Sequence, residues 1–566
     1  MLKGHPKGLY VAFLTNMGER FGFYTMMAIL LLFLQAKFNL PPTKASLVIS
    51  VFLFLIYALA LVGGFIADRT QNYKGVVATG VIVMFAGYLL LAIPGMGFPV
   101  AVIGLLAISF GNGLFKGNLQ ALVGQMYDDP QYSSLRDTAY SIFYMGINIG
   151  AVFAPTAATA IQKWWMNTKK FTYDADLPSL CNQFVQGKEA FLTNSKLTET
   201  DWQTALDKLG DLATKVSDSA VTDLGGFAKN YLEALSTGYN YAFGIASIAM
   251  LISLTCYIIF KRHLPEKKHV AAGGSAAVPQ MDKTEEKKRL TALLFVFLVV
   301  IFFWMSFHQN NLTMTLFARD YTVKSVSSLN NLLFNIWSLL SIGLAAAGLV
   351  FALKPSSTGR ERSIGAAVAI VFGALVYYFY NIFCTNPNSQ AINPAIFQQF
   401  NPFFVVFLTP VIVGLFAWLR ARKKEPSAPR KIGIGMIIAA LGFVVLMVGS
   451  FGLPSQASLA GSPVPETARV SSQWLISSYL VLTFAELCLS PMGISFVSKV
   501  APPRFQGLMQ GCWLGATAIG NQLIFVGGFF WTRVPVWGVW AIFIACCLIS
   551  AVVMFSLLKR IERVTS

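Results

Sequence analysis

Charge is what this sequence has least of. Only 12% of its 566 residues are Asp, Glu, Lys or Arg, about half the share in an average soluble protein. That excludes a chain of this length folded as several water-facing domains. Cysteine is scarce in any usable arrangement. Of the seven, Cys256, Cys384, Cys488, Cys512, Cys546 and Cys547 fall in apolar runs, and only Cys181 falls in a polar loop. The loop therefore has no internal disulfide, and no CxxC or His/Cys spacing offers a metal site. No nucleophile–base pair, metal cluster or phosphate loop is visible, so an enzyme is not expected, and neither is a cofactor. A cleavable signal peptide is not expected either. The first apolar stretch is too long for one, carries charges and lacks a small-residue cleavage site.

What is present is apolar length. The chain is 55% hydrophobic with mean hydropathy +0.61. Fourteen apolar segments are read near 9–35, 45–68, 75–95, 98–126, 137–162, 237–260, 290–318, 331–353, 363–384, 401–421, 431–452, 472–498, 508–532 and 536–558. A backbone in lipid must satisfy its own polar groups, and runs this long are helices rather than barrel strands. The reading is an all-α polytopic membrane protein.

The net charge of +18 follows the positive-inside rule and gives no reason to expect nucleic acid. With the N-terminus in the cytoplasm, the basic loops Arg69–Lys74, 261–289, Lys354–Arg362 and Arg420–Lys431 all fall inside, as does the C-terminal KRIER. A bacterial inner membrane fits this pattern. Residues 1–162 read as five helices of an N-terminal bundle, and 237–260 as its sixth. Between them, 163–236 is polar and reads as a small extracytoplasmic helical insert. Its Trp202, Leu206, Leu209, Leu212 and Val216 recur at helical spacing. A cytoplasmic linker, 261–289, has the flexible middle AAGGSAAVP, and 290–566 forms the C-terminal bundle. That bundle holds an extra hairpin, 331–384, whose spans carry no interior charge.

The few polar groups inside the spans are the functional candidates, because ionisable groups in a bilayer are costly. Glu19 and Arg20 are the only charges in the first span. Asn16, Glu19, Arg20, Phe23 and Met27 fall on one helical face. Lys116 belongs to the first half and Glu486 to the second. Opposite charges on two bundles suit a cavity between them, pairing with each other or with the two ends of a zwitterion. His308, Asn148 and Asn401 complete the set, with helix–helix hydrogen bonding as the plainer reading of these three. In the loop GGFIADRTQNYKG, Gly63, Gly64 and Ala67 allow close helix approach, and Asp68-Arg69 sits at the membrane edge.

Four separated motifs resemble the proton-coupled oligopeptide transporter (POT) family: GERFGFY, ADRTQNYKG, RDTAYSIFYMGINIGAVFAP and ELCLSPMGISFVSKVAPPRFQG. The resemblance implies a major facilitator fold of two six-helix bundles, here with the hairpin added, and uptake of di- and tripeptides by proton symport. It implies proton-coupling roles for Glu19, Arg20 and Glu486, with His308 joining them. It implies substrate contacts from Tyr24, Lys116, Asn148, His308, Asn401 and Glu486, and a gating loop at Gly64, Asp68 and Arg69. Small peptides, protons and the lipid bilayer are the implied partners, and a monomer is expected. Three departures stand out: Asn16 replaces an acid, Met27 a first-helix Arg, and His308 the seventh-helix acid that pairs with that Arg. The lost acid leaves another cargo open, such as nitrate, an amino acid or another small acid, or weaker proton coupling. A membrane protein that senses ligand without moving it is the rival of a different class.

Overall fold

The structure, a computed structural model, describes residues 4–562 apart from 129, 133, 134, 195, 196, 218–220, 266–281, 356, 387–391, 460, 503 and 504. The Ala/Gly-rich middle expected of the linker lies outside the described residues.

Helices dominate. They are α1 (Lys7–Phe38), α2 (Pro42–Thr70), α3 (Tyr73–Leu91), α4 (Phe98–Met126), α5 (Arg136–Thr168), α6 (Leu177–Gln186), α7 (Lys188–Asn194), α8 (Glu199–Val216) and α9 (Leu224–Phe260). The second half holds α10 (Lys283–Phe307), α11 (Thr313–Asp320), α12 (Ser328–Asn331), α13 (Ile336–Leu353), α14 (Gly359–Thr385), α15 (Phe400–Ala421), α16 (Ala428–Gly449), α17 (Ser472–Val500), α18 (Gln506–Gln522), α19 (Phe525–Trp531), α20 (Val536–Ser556) and α21 (Leu558–Glu562). Among the described residues, fourteen helical segments are long and apolar enough to cross a membrane. Among the described residues there is no strand, only the isolated bridges Phe171–Ser217 and Thr322–Val470.

The helices end where local chemistry dictates. The α1–α2 and α2–α3 turns follow Asn39 and Gln71, both left-handed at φ 50° and 52°, which terminates a helix. Asn72 caps α3 through Gly75 N at 2.9 Å. Thr198 with Asp201, and Thr358 with Glu361, form capping boxes on α8 and α14.

Burial sorts the spans. In α1 nearly every side chain from Met26 to Leu34 is buried, so it runs through the middle of its bundle. The outer hairpin helix α14 buries only Gly365 and Phe383, which leaves its apolar surface to lipid. Within the first bundle α1 packs on α5 and α9, and α3 on α4. In the second, α16 packs on α17 and α20. Backbones touch at glycine: a Cβ on Gly80 would stand 2.7 Å from the Gly111 carbonyl oxygen, so α3 and α4 approach as small-residue helices do in membranes.

Two helices that meet between the halves, α5 and α15, carry Pro155 and Pro410 in their interiors. Beside the first, Thr156 Oγ1 donates to Gln399 Oε1 at 3.0 Å.

The insert is shorter than expected. α5 runs on to Thr168 and α9 starts at Leu224, so its polar first turns belong to a span-length helix rather than to the 163–236 loop. Asp223 caps that start through Gly225 N at 2.9 Å, and Phe227 and Tyr231 bury against Phe171. Of the predicted α8 stripe, Trp202, Leu209 and Val216 are buried. Cys181 is a buried free thiol, pushed by burial up to about 12.

At the turn between α15 and α16, Glu425 accepts from Arg420 Nε at 2.6 Å and from Lys431 Nζ at 2.5 Å. Arg420 and then Lys431 hold its carboxyl down to about 2. A depressed carboxylate stabilises the fold above its unfolded value and loses that contribution as pH falls through the folded one. Glu425→Gln therefore lowers stability at neutral pH by less than about 1 kcal/mol, given its exposure. The difference from wild type closes as the medium is brought from about pH 5 towards pH 2, read by thermal shift in detergent.

Candidate functional site

Glu19 is fully buried and Arg20 nearly so. Neighbours in sequence, they close a two-pronged pair: Arg20 Nε to Glu19 Oε2 at 2.5 Å and Nη2 to Oε1 at 2.9 Å. A charge in this setting needs such a partner. A third group completes the shell: Asn112 Nδ2 of α4 donates to Glu19 Oε1 at 2.7 Å. Arg20 lies over the Phe23 ring at 5.1 Å. Asn16, on the same face, donates to the Phe143 carbonyl at 3.4 Å, and Met27 is buried.

Lys116 follows one turn after Asn112. Its Nζ stands 4.2 Å from the Tyr57 ring centroid, and no ion pair between Lys116 and Glu486 forms among the described residues. Glu486 instead accepts from Asn401 Nδ2 at 2.9 Å, and Asn401 also reaches Thr483 at 3.1 Å. Both charged groups are half-buried. Tyr24 is within electrostatic range of Arg20, Tyr57, Glu486 and Glu19. Tyr144 is within range of Glu486, Tyr24 and Tyr57, yet is 46% exposed, so the space between the halves is open there. The sequence-predicted Lys116, Tyr24 and Glu486 thus converge, and the two tyrosines at 57 and 144 join them.

His308 sits where α10 breaks. A 3-10 turn, His308–Asn311, separates α10 from α11. Its Nδ1 is 2.5 Å from the Asn521 carboxamide, which accepts from Nδ1–H or, turned over, donates to a bare Nδ1. The ring stacks on Trp304 at 4.9 Å, and Lys116 is within electrostatic range across the halves. Asn148 is less available: its Nδ2 donates to Tyr144 O of its own helix at 3.2 Å. Gly64, Asp68 and Arg69 lie apart at the far end of α2. There Gly63 and Ala67 make the close approach and a Cβ on Gly64 would meet nothing. Tyr73 hydroxyl donates to the Asp68 carboxylate, and the Gln71 side chain to the Asp68 carbonyl.

The other end of the molecule is bolted across the halves. Lys324 Nζ reaches Asp174 at 2.8 Å and Asp176 at 2.6 Å. Arg469 Nη2 donates to both Asp176 oxygens at 2.9 and 2.8 Å, while Arg469 Nη1 donates to the carbonyls of Arg319 and Thr322 at 3.2 and 3.3 Å. The Arg469 and Asp176 side chains are 1% and 9% exposed. Burial pushes Asp176 above its ordinary value, and Lys324 and Arg469 pull it back. Arg319 Nη1 donates to Gln35 of α1 at 2.6 Å, and Asn393 Nδ2 to Gln162 at 2.8 Å. Sequence reading missed this cluster and Asn112. A concavity of about 460 Å³ near Lys37, Asn182 and Glu233 lies about 27 Å along α1 from Glu19 at 1.5 Å per residue, away from the converged groups.

The sequence profile of the POT family matches residues 74–274 and 374–527. The chain belongs to the POT family. Relatives in that family include the peptide transporter YePEPT of Yersinia enterocolitica, 26% identical over 532 residues, covering 92% of this chain and 86% of that protein. A di-/tripeptide transporter of Lactococcus lactis is 24% identical over 547 residues, covering 92% and 88%. Among solved structures, a POT family transporter in complex with 5-aminolevulinic acid superimposes with TM-score 0.66 at 19% identity, covering 100% of this chain and 98% of that one. The peptide transporter POT in complex with sulfate gives 0.58 at 24%, covering 100% and 96%. These likenesses place the chain in the major facilitator architecture of POT transporters, as a multi-pass membrane protein.

Proposed function

We propose that the chain takes up di- and tripeptides by proton symport through alternating access, as a monomer in a bacterial inner membrane with both termini cytoplasmic. The observation that carries the reading is the separation of Lys116 and Glu486. Each faces the space between the halves with a neutral or aromatic partner, so each is free for one end of a zwitterion. Lys116 takes the peptide carboxylate; Glu486, steadied by Asn401, takes the amine. Tyr24, Tyr57 and Tyr144 line the path between them, and His308 closes it from the second half. The peptide transporters of Yersinia and Lactococcus support this cargo.

Glu19 is the proton site. Ionised, it holds Arg20; protonated, it lets the guanidinium go, and the freed cation changes the field that Tyr24 and Glu486 experience. A proton drives the cycle because it binds one state better than the other. His308 is a second titrating candidate. The cross-half cluster at Asp174, Asp176, Lys324 and Arg469 is the gate on the outer side. It stands in for the pair that Met27 and His308 no longer form.

Liposomes holding the purified protein accumulate labelled dialanine under an inward proton gradient and exchange it in counterflow without one. Folded protein that does neither overturns the reading. A single amino acid with both charges is the second cargo, favoured by Asn16, which cannot titrate, and by the solved relative that binds 5-aminolevulinic acid. Competition of dialanine counterflow by 5-aminolevulinic acid separates the two.

A further inference from the structure

We propose that Asn112 is a positioning residue of the proton site, holding Glu19 as a carboxylate through one end of its carboxamide and as an acid through the other. The inference rests on the proton-symport reading above. Asn112 is fully buried. Its Nδ2 donates to Glu19 Oε1 at 2.7 Å and lies 3.9 Å from Met84 Sδ. Its Oδ1 is buried with no hydrogen-bond partner. Orphaned buried acceptors are uncommon and costly.

The surroundings of Glu19 explain why one is kept. Arg20 grips both carboxylate oxygens, and a guanidinium has only donors. That shell fits an ion. Once a proton arrives on Glu19, its O–H needs an acceptor, and Arg20 offers none. The charged and titratable groups around it are Arg20 and Tyr24 on α1, Tyr57 on α2, Tyr88 on α3 and Lys116 on α4, with Glu486 of α17 facing Tyr24 across the halves. On the α5 side Tyr144 faces Tyr24, and α9 meets α1 at Ser253, which donates to Thr15 O at 2.7 Å. Lys116 and Arg20 only donate. Tyr88, fully buried with an unpartnered hydroxyl, belongs to the same pocket but makes no hydrogen bond to Glu19.

Among the described residues, Asn112 alone already touches the carboxylate and carries a spare acceptor. A half-turn of its amide presents Oδ1 to the Glu19 O–H. The transported proton forms an O–H bond on the Glu19 carboxylate, no bond between heavy atoms changes, and Arg20 is released toward the Phe23 face. Both protonation states then keep a hydrogen bond, so Glu19 can load and unload without either state being stranded. Glutamine in its place would be too long for the same register on α4. Threonine keeps a donor and an acceptor on one atom.

The test compares gradient-driven uptake of labelled dialanine with its counterflow in the same liposomes. Counterflow needs binding and conformational exchange but no net proton movement. Asn112→Leu is expected to lower the ratio of driven uptake to counterflow at least about fivefold, the scale of one charge-assisted hydrogen bond. The pH at half-maximal driven uptake moves, and Asn112→Thr restores part of the ratio. A ratio within about fivefold of wild type overturns the proposal, since a purely structural role depresses both assays together. If Asn112→Leu does not fold, Asn112→Ala is judged by the same ratio. Absence of wild-type counterflow would instead sink the transport reading itself.

Discussion

Glu19→Gln is expected to lower proton-driven dipeptide accumulation at least about tenfold and to leave counterflow within about twofold of wild type. Glutamine keeps the shape of the side chain and an acceptor for Asn112 and Arg20, but it has no proton to gain or lose. The substitution also leaves Arg20, only 5% exposed, without its anion. Breaking a buried pair by removing one partner costs about 3–5 kcal/mol, so the melting temperature falls as well. The counterflow control separates the two effects: unfolding removes both activities, whereas loss of coupling removes only the driven one. Driven uptake that survives in Glu19→Gln moves the proton site elsewhere, with His308 next in line.

The second large effect is at the cross-half cluster. Arg469→Met deletes the cation that donates to both oxygens of Asp176 and ties the Arg319 and Thr322 carbonyls together. Lys324 remains, so Asp176 is not wholly abandoned, and the loss is expected at about 3 kcal/mol. Its local signature is hydrogen exchange. Val470 N donates to Tyr321 O and Val323 N to Val470 O, and these amides should exchange at least about tenfold faster in the variant, because the free energy of local opening sets the protection. If they keep wild-type protection, the cluster does not hold this end closed. In transport, a gate that opens too readily slows the return step, so counterflow falls while peptide still binds.

Much of the fold is legible in the sequence because lipid imposes one rule on every span. All fourteen segments read by hydropathy are helices, and α4 has the same bounds in both readings. The failure is α9, whose first turns, LGGFAKNYLEAL, are polar enough to read as loop. They are helical because Asp223 caps them and because Phe227 and Tyr231 find a tertiary partner in Phe171, which lies far back in the chain. In the site, Glu19, Arg20, Lys116 and Glu486 announce themselves by the cost of charge in a bilayer. Asn112 does not, since a neutral amide among glycines is cheap. Its one signal is its place a turn before Lys116. The cross-half cluster is illegible for another reason: Asp176 and Arg469 are 293 positions apart, and no local pattern couples residues at that distance. Their charges sit in loops, where charge is unremarkable.

The two prolines give the proposed alternation a mechanical consequence. Pro155 has no N–H to offer the Ala151 carbonyl, and Pro410 none for Val406. In most helices a sharp bend must first rupture a ladder bond. Here a missing rung is built into both helices, in α5 beside the Thr156–Gln399 contact and in α15 about 16 Å along the helix from it. The segments above that contact are pinned across the halves, while those below can swing like doors on a common lintel without breaking a backbone bond. Under the alternating-access cycle proposed above, opening at the end that holds the chain termini would leave the fastened end undisturbed, so the two ends of the pathway could be worked in turn.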